Sequence, residues 1–189
     1  MRCKPARPLR ADAARNRARV LEVAYQTFAE EGLSVPIDEI ARRAGVGAGT
    51  VYRHFPTKDD LYRAVIEDRL RSITEEGRAL LTSGAPGEAM FAFLRSLVSC
   101  GDTDQGLVEA LAGVGFDIKA EVPDAEAEFL ELVGEMLQAA QRAGVVRPDV
   151  TVPEVKALMV ACQAAQGYDA EVADRVVGLM LDGLRPRPA

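Results

Sequence analysis

Tryptophan is absent, histidine occurs once and cysteine three times in this chain of 189 residues. A lone His54 with no cysteine near it in sequence cannot head a metal centre or a catalytic triad, because both need several donors converging on one point. Cys3, Cys100 and Cys162 form no Cys-x-x-Cys pair, and an odd, dispersed set suits a reducing compartment better than a disulfide framework. Cys100 and Cys162 fall on apolar helix faces, where a thiol behaves as a small hydrophobe. Aromatic residues make up only 5%, and this scarcity in an alanine-rich chain favours helix over sheet. No stretch approaches the roughly 20 apolar residues of a spanning helix, and no apolar segment follows the basic start to make a secretory signal. A cytoplasmic protein with no membrane partner, no cofactor, no metal and no catalytic constellation is expected, which argues against an enzyme.

What is present is an apolar content of 48% in a chain long enough to bury about 70% of its unfolded surface, so no covalent staple is needed. The formal net charge of −6 hides an asymmetry. Residues 1–20 carry seven basic side chains (Arg2, Lys4, Arg7, Arg10, Arg15, Arg17, Arg19) and one acidic one, Asp12. A basic start on an acidic body points to polyanion contact confined to one end.

Periodicity predicts an all-α protein. Asp12 is expected to cap a first helix carrying Val20, Leu21, Ala24, Tyr25 and Phe28, which ends at Gly32. A short helix with Pro36 in its first turn puts Ile37, Ile40, Ala41 and Ala44 on one face and stops at Gly45. Another runs from Ala48 to Phe55 with Val51 and Phe55 inward, and Pro56 closes it. Thr57 and Asp60 form a capping box for a helix reaching about Leu81. The break at Ser83–Gly87 separates a second helical unit, in which Thr151 and Glu154 form another cap and Gly144 a C-terminal stop. The expected organisation is a basic arm (1–10), a helix-turn-helix domain (11–56), a connecting helix (57–81) and a second helical domain (82–189).

Two short helices joined by a glycine turn and braced by longer ones have the form of a helix-turn-helix. With Val51 and Phe55 inward, the second short helix leaves Ala48, Gly49, Thr50, Tyr52, Arg53 and His54 outward, followed by Lys58. Thr50, Tyr52 and His54 can donate to phosphate oxygens, Lys58 adds charge, and the small Ala48 and Gly49 permit close backbone approach. Spacing alone fits equally well an ordinary helical hairpin with a polar face, and Arg42 and Arg43 fit a solvated surface. Gly45-x-Gly47-x-Gly49 is no dinucleotide loop, since a helix precedes it and Thr50 stands where a third glycine would be needed. The acidic run Glu121–Glu131 reads as a solvated helix start.

The Ile40-Ala41, Ala44-Gly45-Val46, Gly49-Thr50-x-Tyr52-x-His54-Phe55 and Lys58-x-x-Leu61 elements, in this order between Val35 and Leu61, resemble the DNA-binding signature of the tetracycline-repressor (TetR) family of bacterial transcriptional regulators. The resemblance implies backbone contacts from Thr50, Tyr52, His54 and Lys58, with Ala48, Gly49 and Arg53 where bases or nearby phosphates are met. Val35 and Pro36 stand where the family commonly has a capping hydroxyl, and Gly47 replaces a frequent serine. The missing second-helix phosphate contact then falls to Arg43 or the basic arm.

In the second unit Phe91, Phe93, Leu97, Phe129, Val133 and Met136 are candidates to line a pocket for a small apolar or amphipathic effector, although a plain core needs the same residues. Helix-turn-helix proteins double their contacts by symmetry on double-stranded, palindromic operators. The homodimer interface is expected on the last two helices, through Val155, Leu158, Met159 and Cys162 with Val172, Val176, Leu179 and Met180, as a four-helix bundle. The expectation is a DNA-binding repressor released by a ligand. The alternatives are an all-helical interaction module or a regulator with no small-molecule effector.

Overall fold

The computed structural model describes residues 7–84, 87–99, 117–168 and 170–186. These residues form helices and no strand: α1 (Arg7–Glu31), α2 (Ile37–Ala44), α3 (Ala48–His54), α4 (Lys58–Ser83), α5 (Glu88–Ser99), α6 (Ile118–Glu121), α7 (Pro123–Arg142), α8 (Val152–Tyr168) and α9 (Ala170–Gly183). The all-α expectation holds. Residues 1–6 of the basic arm, Cys3, Cys100 and the apolar piece at 107–114 lie outside the described residues. Two compact units divide within α4: the described residues of one are 7–68 with Asp117, and those of the other begin at Arg69 and resume at Ile118.

The first unit is built on the apolar faces the sequence patterns. Val20, Leu21, Ala24 and Phe28 of α1 are buried, as are Ile37, Ile40, Ala41 and Ala44 of α2. Ala41 is fully buried, and its small side chain lets the short helices pack closely. Asp12 does not cap α1, which already begins at Arg7. Pro8 is no obstacle there, because a first-turn proline lacks only an amide the helix leaves unbonded anyway; Asp12 instead pairs with Arg15 one turn on. Gly45 ends α2 at φ +67°, a left-handed conformation that strains any residue with a Cβ. The Val46 amide then bonds back to the Ala41 carbonyl at 3.0 Å. The capping box of α4 forms as expected: the Thr57 amide donates to Asp60 Oδ2 at 3.0 Å, and the Asp60 amide to Thr57 Oγ1 at 3.1 Å.

The second unit packs α5, α7, α8 and α9 around one core that includes Phe91, Phe93, Leu132 and Met136. The second cap also forms, with the Thr151 amide donating to Glu154 Oε2 at 2.7 Å. Two expectations are corrected. Val155 and Cys162 belong to the core of their own chain, so they cannot line a surface stripe; of the expected set Val172 and Leu179 are exposed, 46% and 72% accessible, and Val160, outside that set, is exposed as well. The acidic run is not wholly solvated either, because Glu126 is buried and forms an ion pair with Lys156 that joins α7 to α8. Its position, four residues after the buried Val122 and three before Phe129, puts it on the inward face of the helix. Among the described residues no helix is long and apolar enough to cross a membrane.

Candidate nucleic-acid interface

Seven residues after Gly47 make up α3, and two buried side chains, Val51 within it and Phe55 just after it, anchor the helix to the first unit. This anchoring decides which way everything else points. Tyr52, Arg53 and His54 are exposed, as is Gly49, while Ala48, Thr50 and Lys58 are half-buried. Gly49, Tyr52 and Arg53 follow i, i+3, i+4 spacing and share one face. Tyr52 stands out, since an aromatic ring 45% accessible beside a fully buried Val51 is an unused apolar body with a polar tip. The expected DNA-facing residues from Ala48 to Lys58 therefore lie on one continuous stretch of surface helix, turn and helix start.

Neither short helix is capped by a side chain: Pro36 precedes α2 and Gly47 precedes α3 without such a bond. Two further residues orient the surface and escaped the sequence reading. The Arg17 guanidinium lies over the Phe55 ring, 5.5 Å from its centroid, a cation–π geometry that carries a cation of α1 to the end of α3. Tyr62 packs edge-on against Phe28 at 4.9 Å. Above that ring, at 6.0 Å, sits the Lys58 ammonium, and partial burial pushes the Lys58 pKa below its ordinary value. A signal for Arg17 exists in the cationic run of α1, but nothing in sequence marks which of its five arginines meets an aromatic ring.

Arg43 is engaged within the protein. Its Nε donates to Glu39 Oε1 at 2.7 Å and its Nη2 to Glu31 Oε2 at 3.1 Å, while Nη1 also bonds Glu31. Arg42 shares the Glu39 carboxylate, with Nε at 2.8 Å from Oε2 and Nη2 at 2.7 Å from Oε1. The hydrogen bonds from Arg42, and next from Arg43, hold the Glu39 carboxyl down at a pKa of about 2, and the Arg43 hydrogen bond lowers Glu31 as well.

The candidate effector residues are brought together in the second core. Phe91, Phe93, Val133 and Met136 are almost inaccessible, Phe129 is buried and Leu97 is half-buried. The Phe93 and Phe129 rings lie 6.2 Å apart, and the Arg185 guanidinium covers Phe91 at 4.6 Å. No cluster of three or more metal-ligating side chains occurs among the described residues.

Comparison with known proteins bears on the whole chain. Residues 20–65 match the bacterial regulatory proteins of the tetR family, and residues 85–186 match the transcriptional regulator SbtR-like C-terminal domain. An HTH-type transcriptional regulator of Staphylococcus aureus (strain USA300) is 45% identical over 60 residues, a match spanning 31% of this chain and 32% of that relative. The crystal structure of the TetR transcription regulatory protein from Mycobacterium vanbaalenii is 59% identical, covers 95% of this chain and 100% of its own, and superposes with a TM-score of 0.78. The TetR transcriptional regulator SCO0520 from Streptomyces coelicolor is 30% identical over 91% of this chain and 99% of its own, with a TM-score of 0.74. Two family matches across most of the sequence, and a solved relative aligned end to end, agree with the surface built on α3: the chain belongs to the TetR family of bacterial transcriptional regulators.

Proposed function

We propose that this family member is a cytoplasmic repressor that binds a palindromic operator as a homodimer through α3 and is released by a small apolar or amphipathic effector. The observation that carries the DNA contact is the division of the α3 segment between buried Val51 and Phe55 and exposed Tyr52, Arg53 and His54. Thr50, Tyr52, His54 and Lys58 then contact phosphates and fix the register, while Ala48, Gly49 and Arg53 approach base edges in the major groove. Lys58, held against the Tyr62 ring, presents its charge in a restricted geometry. The regulator acts by binding alone.

Dimerisation is supported by exposed Val160 on α8 and Leu179 on α9, which offer apolar area outside the chain's own core. Two such pairs of helices make a four-helix bundle across a two-fold axis. The effector is placed in the second unit beside Phe93, Phe129 and half-buried Leu97. Release follows if α4, the covalent link from Lys58 to that unit, moves the two recognition helices away from the spacing of successive major grooves, about 34–36 Å. The near-complete burial of Phe91, Phe93 and Met136 favours a second reading, a regulator whose core admits no ligand.

The DNA reading is tested with Tyr52→Ala combined with Lys58→Ala, on a duplex selected from random sequence by the unsubstituted protein and on a scrambled duplex. Binding to both should weaken about tenfold, with the slope of log affinity against log salt shallower by about 1. Unchanged affinity at fixed salt would remove α3 as the DNA-facing element. For the effector, a small-molecule library screened for duplex release should yield a ligand whose action is lost in Phe129→Ala while DNA affinity stays within a few fold. A library that neither releases the duplex nor raises the melting temperature would favour the second reading.

A further inference from the structure

The arginine and glutamate network at the junction of α1 and α2 has the geometry of a clamp. All three guanidinium nitrogens of Arg43 are bonded to carboxylates, one supplied by Glu39 a turn earlier and the other by Glu31, the last residue of α1. Its side chain is 33% accessible, against 73% for Arg42. The two arginines and two glutamates sum to no net charge, so the cluster presents little field to a phosphate. To accept a phosphate, Arg43 would have to give up a bidentate partner already in place, and such forked pairs are the strong ones. The cluster sits at the last turn of α2, and only Gly45, Val46 and Gly47 separate that turn from α3.

We propose that Arg43 is a positioning residue for DNA reading: it ties the end of α1 to the last turn of α2 through Glu31 and Glu39 and thereby sets how α3 is presented, without meeting a phosphate itself. The inference rests on α3 being the DNA-facing helix. An isolated exposed ion pair contributes little, but a network of bidentate arginine contacts bridging two helices is the exception. Its loss should loosen the angle of α3 and penalise base readout, which tolerates little misplacement, more than backbone attraction, which tolerates a good deal.

The two roles open to Arg43 predict opposite signs for Glu31→Gln. Neutralising Glu31 in a positioning clamp should weaken binding to the selected duplex about fivefold, with scrambled-duplex affinity and salt slope unchanged. Arg43→Lys, which keeps the charge but cannot bridge two carboxylates with a planar fork, should do the same. Were Arg43 a phosphate contact masked by Glu31, the Glu31→Gln protein would bind both duplexes more tightly and with a steeper salt slope, and the proposal would fall. It falls equally if selected-duplex affinity is unchanged, or if both affinities drop together in step with a lowered melting temperature. The Tyr52→Ala, Lys58→Ala protein in the same assay reports on the α3 face independently, so the loss of that reading is distinguishable from the loss of this one.

Discussion

The Tyr62 hydroxyl donates a hydrogen bond to the Leu33 carbonyl at 2.8 Å in a buried setting, fastening the second turn of α4 to the link between α1 and α2. The same ring packs edge-on against Phe28 and lies beneath the Lys58 ammonium. One side chain thus connects the core of the first unit, the chain leaving α1 and a cation of the proposed DNA-facing surface. Burial and the nearby Asp59 carboxylate both raise the phenol pKa, which keeps the hydroxyl proton in place as the donor.

Tyr62→Phe keeps the aromatic packing and leaves the buried Leu33 carbonyl without its donor, at a cost of about 1–3 kcal/mol. Urea unfolding followed by helical signal should show the midpoint move to lower denaturant with the slope unchanged. A midpoint equal to the parent's would mean water replaces the phenol at no cost.

Gly77 lies where α4 meets the second core, and a Cβ built there would stand 2.5 Å from Leu132 Cδ2 and 2.9 Å from Phe93 Cε2. Both neighbours are almost wholly buried, so either must shift within a packed core to admit the methyl group. Alanine at a helical position gains about 1 kcal/mol of propensity over glycine, but overpacking a filled core costs about 1–3 kcal/mol. Gly77→Ala should therefore lower the melting temperature; a rise would show that Leu132 and Phe93 rearrange easily.

Leu179→Asp places a carboxylate on an exposed apolar position of α9, whereas Val155→Asp places one in the core. Sedimentation of the Leu179→Asp protein should give about half the parent mass with helix content retained, because a charge in an apolar seam between subunits costs several kcal/mol. Val155→Asp should impair folding itself. A Leu179→Asp protein that stays dimeric would move the interface away from α9.

Glu39 supplies a pH test with a definite sign. Its carboxyl has a pKa of about 2 in the folded chain against an ordinary 4.5, so the unfolded state binds the proton more readily. The stabilisation is fully present above about 4.5 and disappears as the pH falls through 2. Melting temperatures measured across that window should fall more steeply for the parent than for Glu39→Gln. Parallel curves would show that Arg42 and Arg43 do not hold the carboxylate in solution.

The helices themselves were legible because they depend on local spacing. Ile37, Ile40, Ala41 and Ala44 recur at helical intervals and are all buried. Thr57 with Asp60, and Thr151 with Glu154, close their caps within three residues, a reach that chain geometry alone sets. The outward stretch from Ala48 to Lys58 was readable for the same reason, since burying Val51 and Phe55 leaves the rest of a short helix no choice of direction.

What the sequence by itself determined, then, is the order of the helices, the facing of those in the first unit and the motif they carry. Tertiary structure alone decided the partners of long side chains and which apolar residues of α8 turn inward. Arg43 reads in sequence as a phosphate contact or a solvated cation, and its engagement depends on Glu31, twelve residues away on another helix. Val155 and Val160 are alike in chemistry, yet one is fully buried and the other exposed, because the choice rests on where neighbouring helices stand. Glu126 reads as one acid in an acidic run until Lys156, thirty residues on, neutralises it. The physical reason is common to all three: hydrophobic spacing and capping act over one or two turns, while charge pairing and the sharing of a core act between segments that only the folded chain brings together.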